Sequence, residues 1–161
     1  MLILILLGII GVTGYGVYFI RNVTHDPAVW HVDPRTEPPS ATPNSFRVAP
    51  SAITDQPVDM EAPTYSVTAA QLALAFDTFV MEQPLVERIA GSLESGWITY
   101  VQRTEALRFP DYITVQFFDL GDTDTSTLAL YSRSRFGHSD MGVNKARAEA
   151  WLTSIESFVV E

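Results

Sequence analysis

The stretch YITVQFFDL, residues 112–120, decides the fold class. Ile113, Val115 and Phe117 alternate with Tyr112, Thr114 and Gln116, the period-two pattern of a strand with one covered face. Aspartates and a glycine follow at Asp119, Gly121, Asp122 and Asp124, and a second strand is expected from Thr125 to Arg135. Upstream, Trp97 to Thr104 and Leu85 to Ala90 read as strands between turn residues, and Thr64 to Val67 as a short first strand. Two helical stretches frame this run. Thr68 followed by Gln71 has the spacing of a capping box, and Leu72, Phe76, Phe79 and Val80 give one apolar helical face before Pro84. The last helix runs from near Asn144 to Val159 and buries Val143, Trp151, Ile155 and Phe158. The expected class is α+β, with strand, helix, four strands and helix in order. About five antiparallel strands are covered on one face by two helices, as in helix-grip folds.

Before this domain the chain changes character twice. Residues 22–63 form a proline-rich linker: eight of the ten prolines fall between Pro27 and Pro63, which favours extended backbone. Within it, Trp30 is expected to pack on something, because an exposed indole in a spacer serves no purpose. Residues 1–21 read as a transmembrane anchor. Leu2 to Ile20 carry no charge, and such a run spans about 28 Å as a helix, close to the hydrocarbon thickness of a bilayer. Tyr15, Tyr18 and Phe19 lie where an interfacial belt is expected, and Arg21 stops the run. No small-x-small cleavage site follows it. Gly8, Gly11, Gly14 and Gly16 form a smooth patch suited to a weak helix contact. That leaves roughly 100 residues, 64–161, for one small α+β domain.

Composition narrows function. The 161 residues hold no cysteine, which removes disulfides, thiolate metal sites and cysteine nucleophiles. A net charge of −9 with no basic run repels nucleic acid. Lys145 is the sole lysine, so the cations are almost all arginine, whose planar forks suit carboxylate and phosphate.

The arginines gather in RSRFGHSDMGVNKAR, residues 133–147. Arg133 and Arg135 leave the same strand face, Asp140 or Asn144 can cap the helix, and Arg147 lies about one turn inside it. With Arg108 upstream, these six residues form a candidate anion site. The alternative is a structural clasp in which Arg133 or Arg135 pairs with Asp140 and nearby carbonyls. No cofactor is implied. His138, Ser139 and Asp140 are sequence neighbours and cannot adopt triad geometry. Asp119, Asp122 and Asp124 lack the full ligand spacing of a calcium loop.

Ser132 to Arg147, read as Ser-x-Ser-Arg-x-Gly-x-Ser-Asp-x-Gly-x-Asn-x-x-Arg, together with Arg108-Phe109-Pro110-Asp111 and Pro43-Asn44-Ser45, resembles the bacterial and plant family called domain of unknown function 1499. The resemblance covers roughly Pro43 to Ile155, and Ser45 stands where members often carry cysteine. It brings no assigned activity and implies an exported location. Charge alone leans weakly the other way: Arg21 follows the apolar run and no cation precedes it. The expectation is therefore a single-pass protein of the bacterial inner membrane, with its domain in the periplasm and residues 2–20 in the bilayer. Its expected role is non-enzymatic, binding a partner protein or an apolar or anionic ligand. The alternatives are an accessory subunit of a larger inner-membrane complex, and an enzyme that acts on an anionic substrate through the Arg/Asp cluster.

Overall fold

The computed structural model describes residues 14–121 and 124–160. Residues 14–21 are helical (α1), and a single turn, α2, follows at Pro27–Trp30. The strands β1 (Ser45–Ala49) and β2 (Met60–Glu61) precede helix α3 (Ala69–Met81). Four strands then come in succession: β3 (Val86–Ser92), β4 (Trp97–Arg103), β5 (Pro110–Asp119) and β6 (Ser126–Ser134). Helix α4 (Val143–Thr153) ends the core, with a 3-10 turn at Glu156–Phe158 behind it.

The chain is an α+β fold, but the sheet differs from the expected one. It has six strands in the order β2-β1-β6-β5-β4-β3. It is mixed, because β1 and β2 run parallel while every other pair is antiparallel. The expected strand at Thr64 to Val67 reduces to a bridge at Tyr65, which pairs with Ser126 and Val159. Two strands come instead from the proline-rich stretch. Pro43 and Pro50 bracket six proline-free residues, and five of these, Ser45–Ala49, pair with β6, with Val48 opposite Leu130. Prolines flank that strand without interrupting its ladder, as a strand paired on both sides, by β2 and β6, requires.

Helices α3 and α4 cover one face. Leu72, Phe76 and Val80 from α3 meet Trp151, Leu152 and Ile155 from α4's end over Ile98, Tyr100, Ile113, Val115 and Leu130. Each such side chain, fully buried, contributes about 1.5–3 kcal/mol. The capping box opens α3 as expected: Gln71 N–H donates to Thr68 Oγ1 at 3.3 Å, and Thr68 N–H to Gln71 Oε1 at 3.1 Å. The terminal helix is shorter than expected and stops at Thr153. At the β3–β4 edge the register shifts between Arg88 and Ala90. Gly91 follows at φ +77°, where a Cβ would sit 1.8 Å from the Trp97 carbonyl oxygen, so only glycine fits.

The second face is covered too, by residues 22–44. This stretch, read from sequence as a linker, lies as a strap across β4, β5 and β6. Trp30 stacks on Tyr112 with ring centroids 3.7 Å apart and planes 8° apart. His31 stacks on Trp97 at 4.2 Å, and its Nδ1 lies 2.8 Å from Thr99 Oγ1. Trp97 Nε1 donates to Val32 O at 3.2 Å, and Thr114 Oγ1 to Trp30 O at 3.2 Å. The strap therefore gives Trp97, Thr99 and Thr114 partners on a sheet face that would otherwise need water, while Gln116 Oε1 on the same face stays buried without one among the described residues. The apolar segment at 2–20 lies largely outside the described residues. Among the described residues, no helix is long and apolar enough to cross a membrane.

Candidate functional site

The six candidate residues do not converge: Arg133 and Arg135 turn to the strap, whereas Asn144 and Arg147 lie on the helix that covers the other face. Arg133 and Arg135 face the strap. Arg133 Nη1 lies 2.6 Å from Glu37 Oε1, its Nη2 donates to Val29 O at 3.0 Å, and its guanidinium sits 4.8 Å from the Trp30 ring centroid. Arg135 Nη1 donates to Thr24 O at 2.9 Å and to Tyr112 Oη at 3.1 Å. Both arginines thus clasp the strap, and neither pairs with Asp140. Sequence reasoning foresaw a clasp but placed it on the wrong partner, because nothing in a proline-rich stretch announces a docking path.

On the helix face, Asn144 and Arg147 enter a buried polar network. Arg147 Nη2 lies 2.6 Å from Asp111 Oδ2, and both side chains are almost fully buried. Its other donors reach Asn144 Oδ1 at 2.8 Å, Ser132 Oγ at 3.2 Å and Gln102 Oε1 at 2.6 Å. Ser132 Oγ donates to Asn144 Oδ1 at 2.6 Å, while Asn144 Nδ2 donates to Asn44 O at 2.8 Å and Ser134 Oγ at 3.1 Å. Asn44 Nδ2 closes the circuit on Gly137 O at 3.0 Å. A charged pair taken this far out of water persists only when its remaining donors and acceptors are satisfied, and here four elements supply the partners. Asp140 caps α4, accepting from Asn144 N at 2.7 Å and Gly142 N at 3.2 Å. Gly142 supplies the left-handed backbone (φ +84°) that lets the chain turn into the helix.

Asn44, Asp111, Ser132 and Ser134 were not among the candidates. Asn44 and Asp111 do stand in the short motifs that accompany the arginine-rich stretch. Their appearance with it was the available signal that three separated segments meet.

Beside this network lies a cleft of about 230 Å³ between the β4–β5 turn and the β6–α4 turn. Phe109, Phe136, Met141 and Val143 give it apolar walls, and Asp111, Ser134 and Asp140 its polar edge. Its two carboxylates are already engaged, Asp111 by Arg147 and Asp140 by the helix amides. No arginine lines it. The arrangement suits an apolar group better than an anion. Arg108, the last candidate, sits in the β4–β5 turn at φ +62°. Its guanidinium has no hydrogen-bond or ion-pair partner among the described residues.

A six-stranded mixed sheet, helices on one face, a strap on the other and a polar knot joining three short motifs define a small non-globin, non-Rossmann α+β class of domain. Residues 35–155 match the family described as protein of unknown function (DUF1499), and the chain belongs to that family. A comparison with curated proteins returns no match.

Proposed function

We propose that the chain is a membrane-tethered, non-enzymatic module of the bacterial envelope that receives an apolar group in the cleft between the β4–β5 and β6–α4 turns. The observation that carries this reading is the commitment of the cleft's charged edge to internal partners beside an open apolar wall. Asp111 is held in an ion pair with Arg147 and Asp140 by two amides at the start of α4, whereas Phe109, Phe136 and Met141 have apolar surface to bury. The tether rests on the uncharged run Leu2 to Ile20 and its aromatic end. The periplasmic side follows from the family resemblance.

Two measurements test it. Extraction of membranes at alkaline pH leaves the full-length protein in the pellet, and its release into the supernatant overturns the tether. For the cleft, 1-aminoanthracene serves as a small apolar probe against the purified full-length protein in amphipol. Val143→Trp, which fills the cleft mouth from a partly exposed position, is expected to abolish the probe's fluorescence gain. Equal binding by the wild type and the variant removes the cleft from the proposal.

A further inference from the structure

The strongest unexplained geometry lies where α1 meets the domain. Arg103 Nη1 donates to Ile20 O at 3.2 Å and to Arg108 O at 3.0 Å. One nitrogen thus ties the end of the amino-terminal apolar run to the β4–β5 turn. His25 Nε2 lies 2.9 Å from Arg103 Nη2, and Val23 is buried, so the chain enters the domain at once with no free spacer. The end of the sheet that carries this turn is therefore the end next to the apolar run.

That end is also where large apolar side chains face solvent. Strand register places the start of β3, the end of β4, the start of β5 and the end of β6 together there. Leu107 in the β4–β5 turn is 47 % exposed and Met141 in the β6–α4 turn 95 % exposed, with Met81 and Val143 at 43 % and 42 %. Met141 holds this exposure at φ +53°, a backbone conformation uncommon outside glycine. Arg108, unpartnered, stands beside Leu107.

We infer that this end of the domain docks on the phospholipid interface of the bilayer that holds the apolar run, with Leu107 and Met141 entering the headgroup–acyl boundary and Arg108 meeting lipid phosphate. The inference rests on the tether reading and does not depend on occupancy of the cleft. The occupant is argued from position. A turn bonded to the same nitrogen as Ile20 lies at the depth of the aromatic belt formed by Tyr15, Tyr18 and Phe19, where apolar tips and guanidiniums are both favoured. A domain of net negative charge gains nothing from anionic lipid as a whole, so insertion and one guanidinium–phosphate contact carry the interaction.

The absence of cysteine from the chain makes the test direct. Full-length Leu107→Cys and Met141→Cys, each carrying an environment-sensitive fluorophore, are reconstituted in phosphatidylcholine vesicles containing nitroxide-labelled lipid. Leu74→Cys, on the outer side of α3, and Val160→Cys, at the opposite end of the sheet, serve as controls. Blue-shifted emission and several-fold stronger quenching at 107 and 141 than at the controls support the proposal, as does weaker quenching at 107 when Arg108→Gly is added. Solvent-like emission at 107 and 141 in protein that resists alkaline extraction overturns lipid docking and leaves the tether intact. Blue-shifted emission without lipid quenching overturns it in favour of contact between copies. Release by alkali overturns the tether and the docking together.

Discussion

At the scale of single residues, the fold turns on buried charge held by hydrogen-bonded partners. Asp111 and Arg147 lie on different elements, and both side chains are almost fully buried. Deleting one partner strands the other, at a cost of about 3–5 kcal/mol. Arg147→Ala is therefore expected to lower the melting temperature by roughly 10 °C, taking a few degrees per kcal/mol for a chain of this size. The paired change Asp111→Asn with Arg147→Met is expected to cost less than the sum of the two single changes, a coupling that a double-mutant cycle in urea measures. Arg47 poses a related problem: a carboxylate, Asp59, accepts from its backbone N–H, but none pairs with its guanidinium among the described residues. It is buried, with Nη1 donating to Pro57 O at 3.4 Å, Nη2 bonded to Glu37 O and its guanidinium 4.5 Å from the Tyr131 ring centroid. Burial pulls its pKa below the usual arginine value. Arg47→Ala leaves those carbonyls unpaired, and a loss of about 3 kcal/mol is expected in the same unfolding experiment.

At the scale of elements, the strap behaves as a unit whose fastening depends on pH. The Arg103 guanidinium is always a donor, so His25 Nε2 must offer a lone pair. The imidazole is then neutral with its proton on Nδ1, directed at Tyr112 Oη 2.8 Å away. Burial first, then the positive charges of Arg103 and Arg135, hold the His25 pKa below its ordinary 6.5, and Glu87 opposes them only in part. Burial lowers His31 in the same direction. A histidine depressed on folding binds fewer protons in the native state, so its contribution is fully present above 6.5 and is lost as pH falls toward the folded value. Asp33, held below its ordinary 3.8 chiefly by its hydrogen bond to Arg35, titrates in a lower window. Limited proteolysis within residues 22–44 is expected to accelerate between pH 7 and pH 5, and His25→Gln with His31→Gln to flatten that dependence. A cleavage rate independent of pH in the wild type contradicts the account. At the opposite sheet edge, Gly91→Ala places a methyl against the Trp97 carbonyl, and a cost on the order of 3 kcal/mol is expected in thermal unfolding.

At the scale of the whole molecule, what could be read from the sequence tracks how locally each element is encoded. The alternation in residues 112–118 and the Thr68–Gln71 box are self-contained, and they specify β5 and the start of α3 without help from elsewhere. β1 carries a weaker version of the same signal in Phe46 and Val48 against Ser45 and Arg47, but its five residues are hidden among prolines. The strap has no periodicity at all. Its position is set by rings and carbonyls that meet partners about 65 to 110 residues away along the chain, and no local pattern encodes such distances. The candidate site shares this asymmetry: Asp140 as a helix cap is local and legible, whereas the Asp111–Arg147 pair and the grip of Arg133 on Glu37 exist only once the sheet has assembled. This bears directly on where the folding unit begins. A chain starting at Thr64 keeps every element with a clear local pattern, yet it leaves β6 without its β1 partner and exposes Tyr112, Thr99 and Trp97 on an uncovered face. Such a chain is expected to aggregate or to unfold without cooperativity, whereas a chain starting at Asn22 keeps the strap, β1 and β2 and is expected to give a single sharp transition in circular dichroism. If the shorter chain melts as sharply and at the same temperature, residues 22–63 are a dispensable cover and the sheet is stable without them. The stacking of Trp30 on Tyr112, its contact with the Arg133 guanidinium, and the burial of Arg47 beneath the strap argue that they are instead part of the core.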